Sequence, residues 1–154
     1  MKRTTIIFAL TLLFSSVQVG LAQNPQMGTW KLNEAKSKLG AGTPKNHTVI
    51  YEAAGDNTKI IVEGIDSAGK TVRSEWTGKF DGKYYPVTGD PTSDMRSYKK
   101  VNARTMSFTA KQGNKVTLTG RVAVSADGKT RTVTTTATDA KGKKVNSTVV
   151  YDKQ

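Results

Sequence analysis

Few groups in this 154-residue chain could do covalent or metal chemistry. His47 is the only histidine and there is no cysteine, which removes a thiolate nucleophile and a histidine-rich metal site together. Glu52, Glu63 and Glu75 are the carboxylates with a prospect of acid–base pairing, but Glu75 alternates with Trp76 and is expected to face water. The glycines stand in turn pairs such as Asp81-Gly82 and Asp127-Gly128, not in a phosphate-binding loop. No catalytic residue, metal site or cofactor is assigned, and the chain reads as a binder, not an enzyme, with chemistry on a ligand held in a cavity as a third and less favoured reading. The residues left to consider are suited to recognition. Trp76, Tyr85, Tyr98, Phe108 and Tyr151 offer apolar area with polar handles for an amphipathic ligand, the competing reading being that they simply fill a core. Arg96 and Arg121 are the two arginines that could turn inward to meet an acidic group. Both are expected to face outward, with Arg96 the better candidate for an inward position.

The elements that must carry these side chains are strands. From Thr48 onward, turn residues recur at roughly dozen-residue spacing: Gly55-Asp56-Asn57, Ser67-Ala68-Gly69, Asp81-Gly82, Gln112-Gly113-Asn114, Asp127-Gly128 and Ala140-Lys141-Gly142. Between them apolar residues alternate with polar ones. Val72, Ser74, Trp76, Gly78 and Phe80 share one face, and Thr71, Arg73, Glu75, Thr77 and Lys79 the other, as a half-buried strand requires. Strands are predicted at 27–32, 47–53, 58–65, 70–80, 83–87, 95–101, 105–111, 115–125, 129–139 and 143–152. Asn33 is a plausible cap for one helical turn over 34–38. Ten strands in an open sheet would leave long free edges, so an antiparallel up-and-down meander closed into a barrel is the expected all-β architecture. The segment 88–94 is the longest interruption, placed where a loop could cover or open one end. Val133, Thr135 and Ala137 keep a period of two, so the Thr-rich stretch reads as a strand. In the strand at 115–125, Val116, Leu118, Val122 and Val124 read as the inward face, with Arg121 opposite.

Residues 1–22 have the pattern of a cleaved secretory signal: Lys2 and Arg3, an apolar run from Ile6 to Phe14, then Gly20-Leu21-Ala22. The apolar run is shorter than the ~20 residues that span a bilayer. With no cysteine to accept a lipid, a soluble periplasmic or secreted product is expected, one domain over 23–154, monomeric and held without disulfides. The formal charge of +12 is concentrated in the second half, where Lys99, Lys100, Arg104, Lys111, Lys115, Lys129, Arg131, Lys141, Lys143 and Lys144 crowd together. Such a field attracts an anionic surface or polymer. Aromatics that could stack bases are sparse there, so specific nucleic-acid binding is not expected.

Gly28-Thr29-Trp30-Lys31-Leu32, the ten-strand meander and the terminal Val150-Tyr151-Asp152-Lys153 resemble the calycins, the group of lipocalins and fatty-acid-binding proteins. The chain is closer still to small exported bacterial lipocalin-like proteins, which share Gly-Thr-Trp-Lys-Leu-Asn, a following Lys-Ser-Lys and a central Asp-Gly-Lys, aromatic, Pro-Val-Thr-Gly. Here Asp81, Gly82, Lys83, Tyr85, Pro86, Val87, Thr88 and Gly89 stand in that central pattern. The resemblance implies a barrel whose first Trp plugs the closed end and whose interior holds a small hydrophobic or amphipathic molecule without a covalent bond. It also marks two departures. Val149 stands where fatty-acid-binding proteins carry a carboxylate-clamping Arg two residues before the last-strand Tyr, and their helical lid is reduced to about one turn between Leu32 and His47. A fatty acid is therefore not implied. The alternative is a basic barrel acting as an interaction module on an anionic envelope polymer or partner protein.

Overall fold

The computed structural model describes residues 24–139 and 141–154. The expected signal at 1–22 lies outside the described residues. The strands in chain order are β1 (Gly28–Lys38), β2 (Lys45–Ala54), β3 (Asn57–Ile65), β4 (Thr71–Gly78), β5 (Asp81–Thr88), β6 (Met95–Asn102), β7 (Thr105–Gln112), β8 (Lys115–Val124), β9 (Thr130–Thr138) and β10 (Lys144–Lys153). Each pairs antiparallel with its sequence neighbours, and β1 pairs with β10 to close the barrel. The expected ten-strand closed meander is therefore present, with elements close to those read from the turn spacing.

The helical turn expected over 34–38 does not form. Those residues remain in β1, where five steps from Asn33 to Lys38 oppose two steps from Val150 to Thr148. This is a bulge, and it absorbs the polar signals that suggested a cap. Asn33 Oδ1 accepts the Lys36 N–H at 3.1 Å, as an N-cap would. Ser37 Oγ donates to the Asn33 carbonyl at 2.6 Å and accepts the Val150 N–H at 2.9 Å, so the ladder to β10 continues through the side chain. Pairing across to β10 satisfies backbone groups that an isolated single turn would leave open.

Side-chain alternation builds the interior. On β4, Ser74, Trp76 and Gly78 are buried, while Thr71, Arg73 and Thr77 are exposed. On the outside Arg73 bridges Glu63 and Glu75, and Lys59 meets Glu75 at 2.9 Å, which puts Glu75 in water as its phase demands. Arg121 is exposed, as expected, and His47 faces solvent. Val116 departs from its expected inward position and is 45% exposed. A register shift between Ala110 and Lys111 of β7 breaks the phase of β8 at that point.

The end of the barrel holding the first residues of β1 is closed. Trp30 is fully buried there, and its Nε1–H donates to the Gln26 carbonyl at 2.9 Å, while Gln26 Nε2 donates to the Arg104 carbonyl at 3.2 Å. Lys153 covers the outer side of the indole, 5.2 Å from its centroid. Trp30 is thus the plug that the resemblance implied. Replacing Trp30 with Ala removes the largest side chain of this floor and strands its buried backbone acceptor. A loss of about 3–5 kcal/mol is expected in urea denaturation of the variant against the parent.

Candidate binding cavity

The interior is filled unevenly, and the unevenness makes a cavity. Large rings come from β4 to β7. Trp76 packs edge-on against Tyr98 at 4.8 Å and Tyr85 at 5.7 Å, stacks with Phe80 at 6.2 Å, and Tyr98 continues to Phe108 at 5.6 Å. Facing them, β8 to β10 supply smaller inward residues, among them Leu118, Val133, Thr135, Ala137, Ser147 and Val149. Small side chains opposite a one-sided wedge of rings leave a void of about 340 Å³. Small-molecule sites occupy about 300–1,000 Å³, so the space suits a compact guest. It extends toward the end opposite Trp30, between the connections that carry Leu39 to Pro44 and Gly89 to Thr92.

Arg96, Tyr98, Phe108 and Tyr151, four of the six residues singled out from sequence, line this cavity. Trp76 and Tyr85 do not. Trp76 is 1% exposed and belongs to the wedge, where its Nε1–H donates to the Arg96 carbonyl at 3.0 Å and fixes the backbone that presents that arginine. Tyr85 lies over Gly78, where a Cβ would meet its ring at 2.6 Å, and its hydroxyl donates to Asp81 at 3.0 Å. It seals the narrowest seam of the barrel, β4 to β5, which is joined by only the pairs Glu75–Thr88 and Trp76–Val87. Phe108 in turn rests on the bare backbone of Gly120, so a side chain there would push the ring into the cavity.

The outward orientation expected for Arg96 is overturned. Its guanidinium points inward, in phase with Tyr98, and is 9% exposed. An ion pair with Asp90 makes that burial tolerable. Asp90 belongs to the loop at 88–94 flagged as a possible cover, and the loop does bound the open end. Ser93 Oγ donates to Asp90 Oδ2 at 2.6 Å, and the Thr92 N–H and hydroxyl donate to Oδ1 at 2.8 Å each. Burial by itself would raise the Asp90 carboxyl, but those donors and the Arg96 charge outweigh it and hold it below the usual carboxylate range. Burial also works against the Arg96 charge, and Tyr98 and Asp90 outweigh it there too.

Arg131, expected in the surface charge field, is instead buried. Arg131 is 4% exposed, with its guanidinium carbon 4.9 Å from the Tyr51 ring centroid, 5.1 Å from that of Tyr151 and 5.6 Å from that of Trp30. The signal for this was present. Arg131 lies two residues before Val133, in the phase that Val133, Thr135 and Ala137 keep. Burial drives the phenols of Tyr51 and Tyr151 above their ordinary value even though the Arg131 charge pulls the other way, so both hydroxyls stay protonated as donors. The closed ten-strand antiparallel barrel is consistent with a calycin-like fold. No known family's profile matches the chain, and no curated protein matches it.

Because the folded Asp90 carboxyl titrates below its unfolded value, its contribution is complete above about pH 4 and is lost as pH falls through the folded value. Asp90→Asn leaves Arg96 buried without its counter-charge, at an expected cost of about 3–5 kcal/mol at neutral pH. Urea denaturation across a pH series should show that difference shrinking as pH falls below about 4 and through the folded value, as the parent protonates. A gap that stays constant with pH would mean that the pair does not hold the loop.

Proposed function

We propose that this chain is an exported lipocalin-like protein that binds a small hydrophobic or amphipathic molecule in its barrel, without a covalent bond and without catalysis. The observation that carries this is the cavity of about 340 Å³, with an apolar wall from β8 to β10 and Arg96, Tyr98 and Tyr151 at its polar side. Burial of apolar guest surface supplies the driving force, and the few polar groups set orientation. The proposal of export rests on the pattern of residues 1–22, and the proposed relation to calycins rests on the short motifs around Trp30 and Pro86 together with the barrel. A monomer is the expected state.

One observation favours a second reading. Lys115, Lys141, Lys143 and Lys144 are exposed around the open end, and none of them is in an ion pair among the described residues. They would suit an anionic envelope polymer or partner. Ionic strength separates the two, since charge-driven association weakens steeply with salt and apolar burial does not.

Native mass spectrometry of the protein purified from its own source should show a bound small molecule. An apo mass, with no thermal shift across lipids and aromatic compounds, would remove the cavity reading. Val149→Trp places an indole in the void from a residue that lines it. That variant should keep its strand circular dichroism and lose at least about tenfold in affinity for the guest.

A further inference from the structure

We infer that the guest carries one negative charge, lodged at the inner end of the cavity between Arg96 and Arg131. This rests on the binding reading above and names the chemical class of the guest. Charge inside the barrel does not balance. Among the described residues, two guanidinium groups are buried in the barrel, Arg96 at 9% and Arg131 at 4% exposure, against a single largely buried carboxylate, that of Asp90 at 12% side-chain exposure. The other carboxylates at the cavity's margin are committed to their own turns. Asp66 accepts the Ala68 and Lys70 N–H groups, and Asp139 accepts those of Lys141 and Lys143. Arg131 has no ion pair among the described residues, and its Nε and Nη1, like Nε of Arg96, are buried without a hydrogen-bond partner.

A buried charge in that condition is costly, and ring faces offset only part of the cost. Arg131 is not itself part of the cavity's lining but sits behind Tyr151, its guanidinium carbon 5.1 Å from that ring centroid. The next inward residue on β9, Val133, lines the cavity, and so does Tyr151, which faces Arg131 across the β9–β10 ladder. A carboxylate or sulfonate reaching this end would gain charge-assisted N–H bonds and phenolic donors, and would bring the interior charge to zero with Asp90 in place. A dianion would overshoot and an uncharged head would leave the imbalance. Leu118, Val133 and Val149 then receive the apolar remainder of the molecule.

Two fluorescent probes of one skeleton test this: anilinonaphthalene sulfonate, a monoanion, and phenylnaphthylamine, which lacks the sulfonate. The parent protein should bind the sulfonate about tenfold or more tightly than the amine. Arg131→Met should bring the ratio close to one, Arg131→Lys should retain the preference, and Asp90→Asn, which adds to the positive imbalance, should raise it. Should Arg131→Met fail to fold, Asp90→Asn decides, and an unchanged or lower ratio in it overturns the inference. Equal binding of both probes by the parent overturns the monoanion and leaves the cavity reading standing. Binding of neither probe overturns both.

Discussion

Where β1 meets β10, Trp30 lies opposite Lys153 and Leu32 opposite Tyr151, and that ladder consumes the two free edges that a ten-strand meander would otherwise present to solvent. Closure makes an inside, and the alternation of every strand then decides what enters it. The bulge over Asn33 to Lys38 shows how strongly the pairing is favoured. Residues with helix-cap chemistry are recruited into the ladder, and a serine hydroxyl stands in for a backbone partner. One end is plugged by an indole whose N–H is satisfied by the backbone, so the space remaining lies toward the other end.

Within that enclosure, volume is distributed by strand. The rings of β4 to β7 pack on one another and would fill a barrel of this size if β8 to β10 carried residues of similar bulk. They carry Val, Thr, Ala and Ser instead. The cavity is therefore a consequence of composition on three adjacent strands. The same wedge holds the polar side of the cavity in place, because Trp76 bonds the backbone of Arg96 and the seam beside it is closed by Tyr85 on Gly78. Packing and site geometry are thus coupled through one indole.

Charge inside the barrel is arranged by a different logic. Asp90 reaches Arg96 from a loop, and its remaining lone pairs are taken by Ser93 and Thr92, which is the condition under which a buried pair is tolerated. Such a pair contributes little to net stability, yet it specifies where the loop lies over the open end. Arg131 is accommodated differently, by three ring faces and no carboxylate.

The turn spacing and the period of two were enough to read the strands, their antiparallel order and the closed barrel, because local turn chemistry and face alternation are properties of short stretches of chain. They also served to place Glu75 and Arg121 outside, while Trp30 in the core was what the resemblance to calycins implied. Which of the inward residues meet empty space was not legible. Trp76 and Phe108 look alike in a strand pattern, and only the residues opposite them, distant in sequence, determine that one is enclosed and the other faces a void. Arg96 and Arg131 were misplaced for a related reason: a charged side chain is assigned to solvent until its partners are known, and those partners, Asp90 in a loop and three rings from β1, β2 and β10, come together only when the barrel closes. Local sequence determined the strand order and the facing of most strand residues. Long-range assembly decided where volume is missing and which buried charges can be borne, since both depend on contacts between residues far apart along the chain.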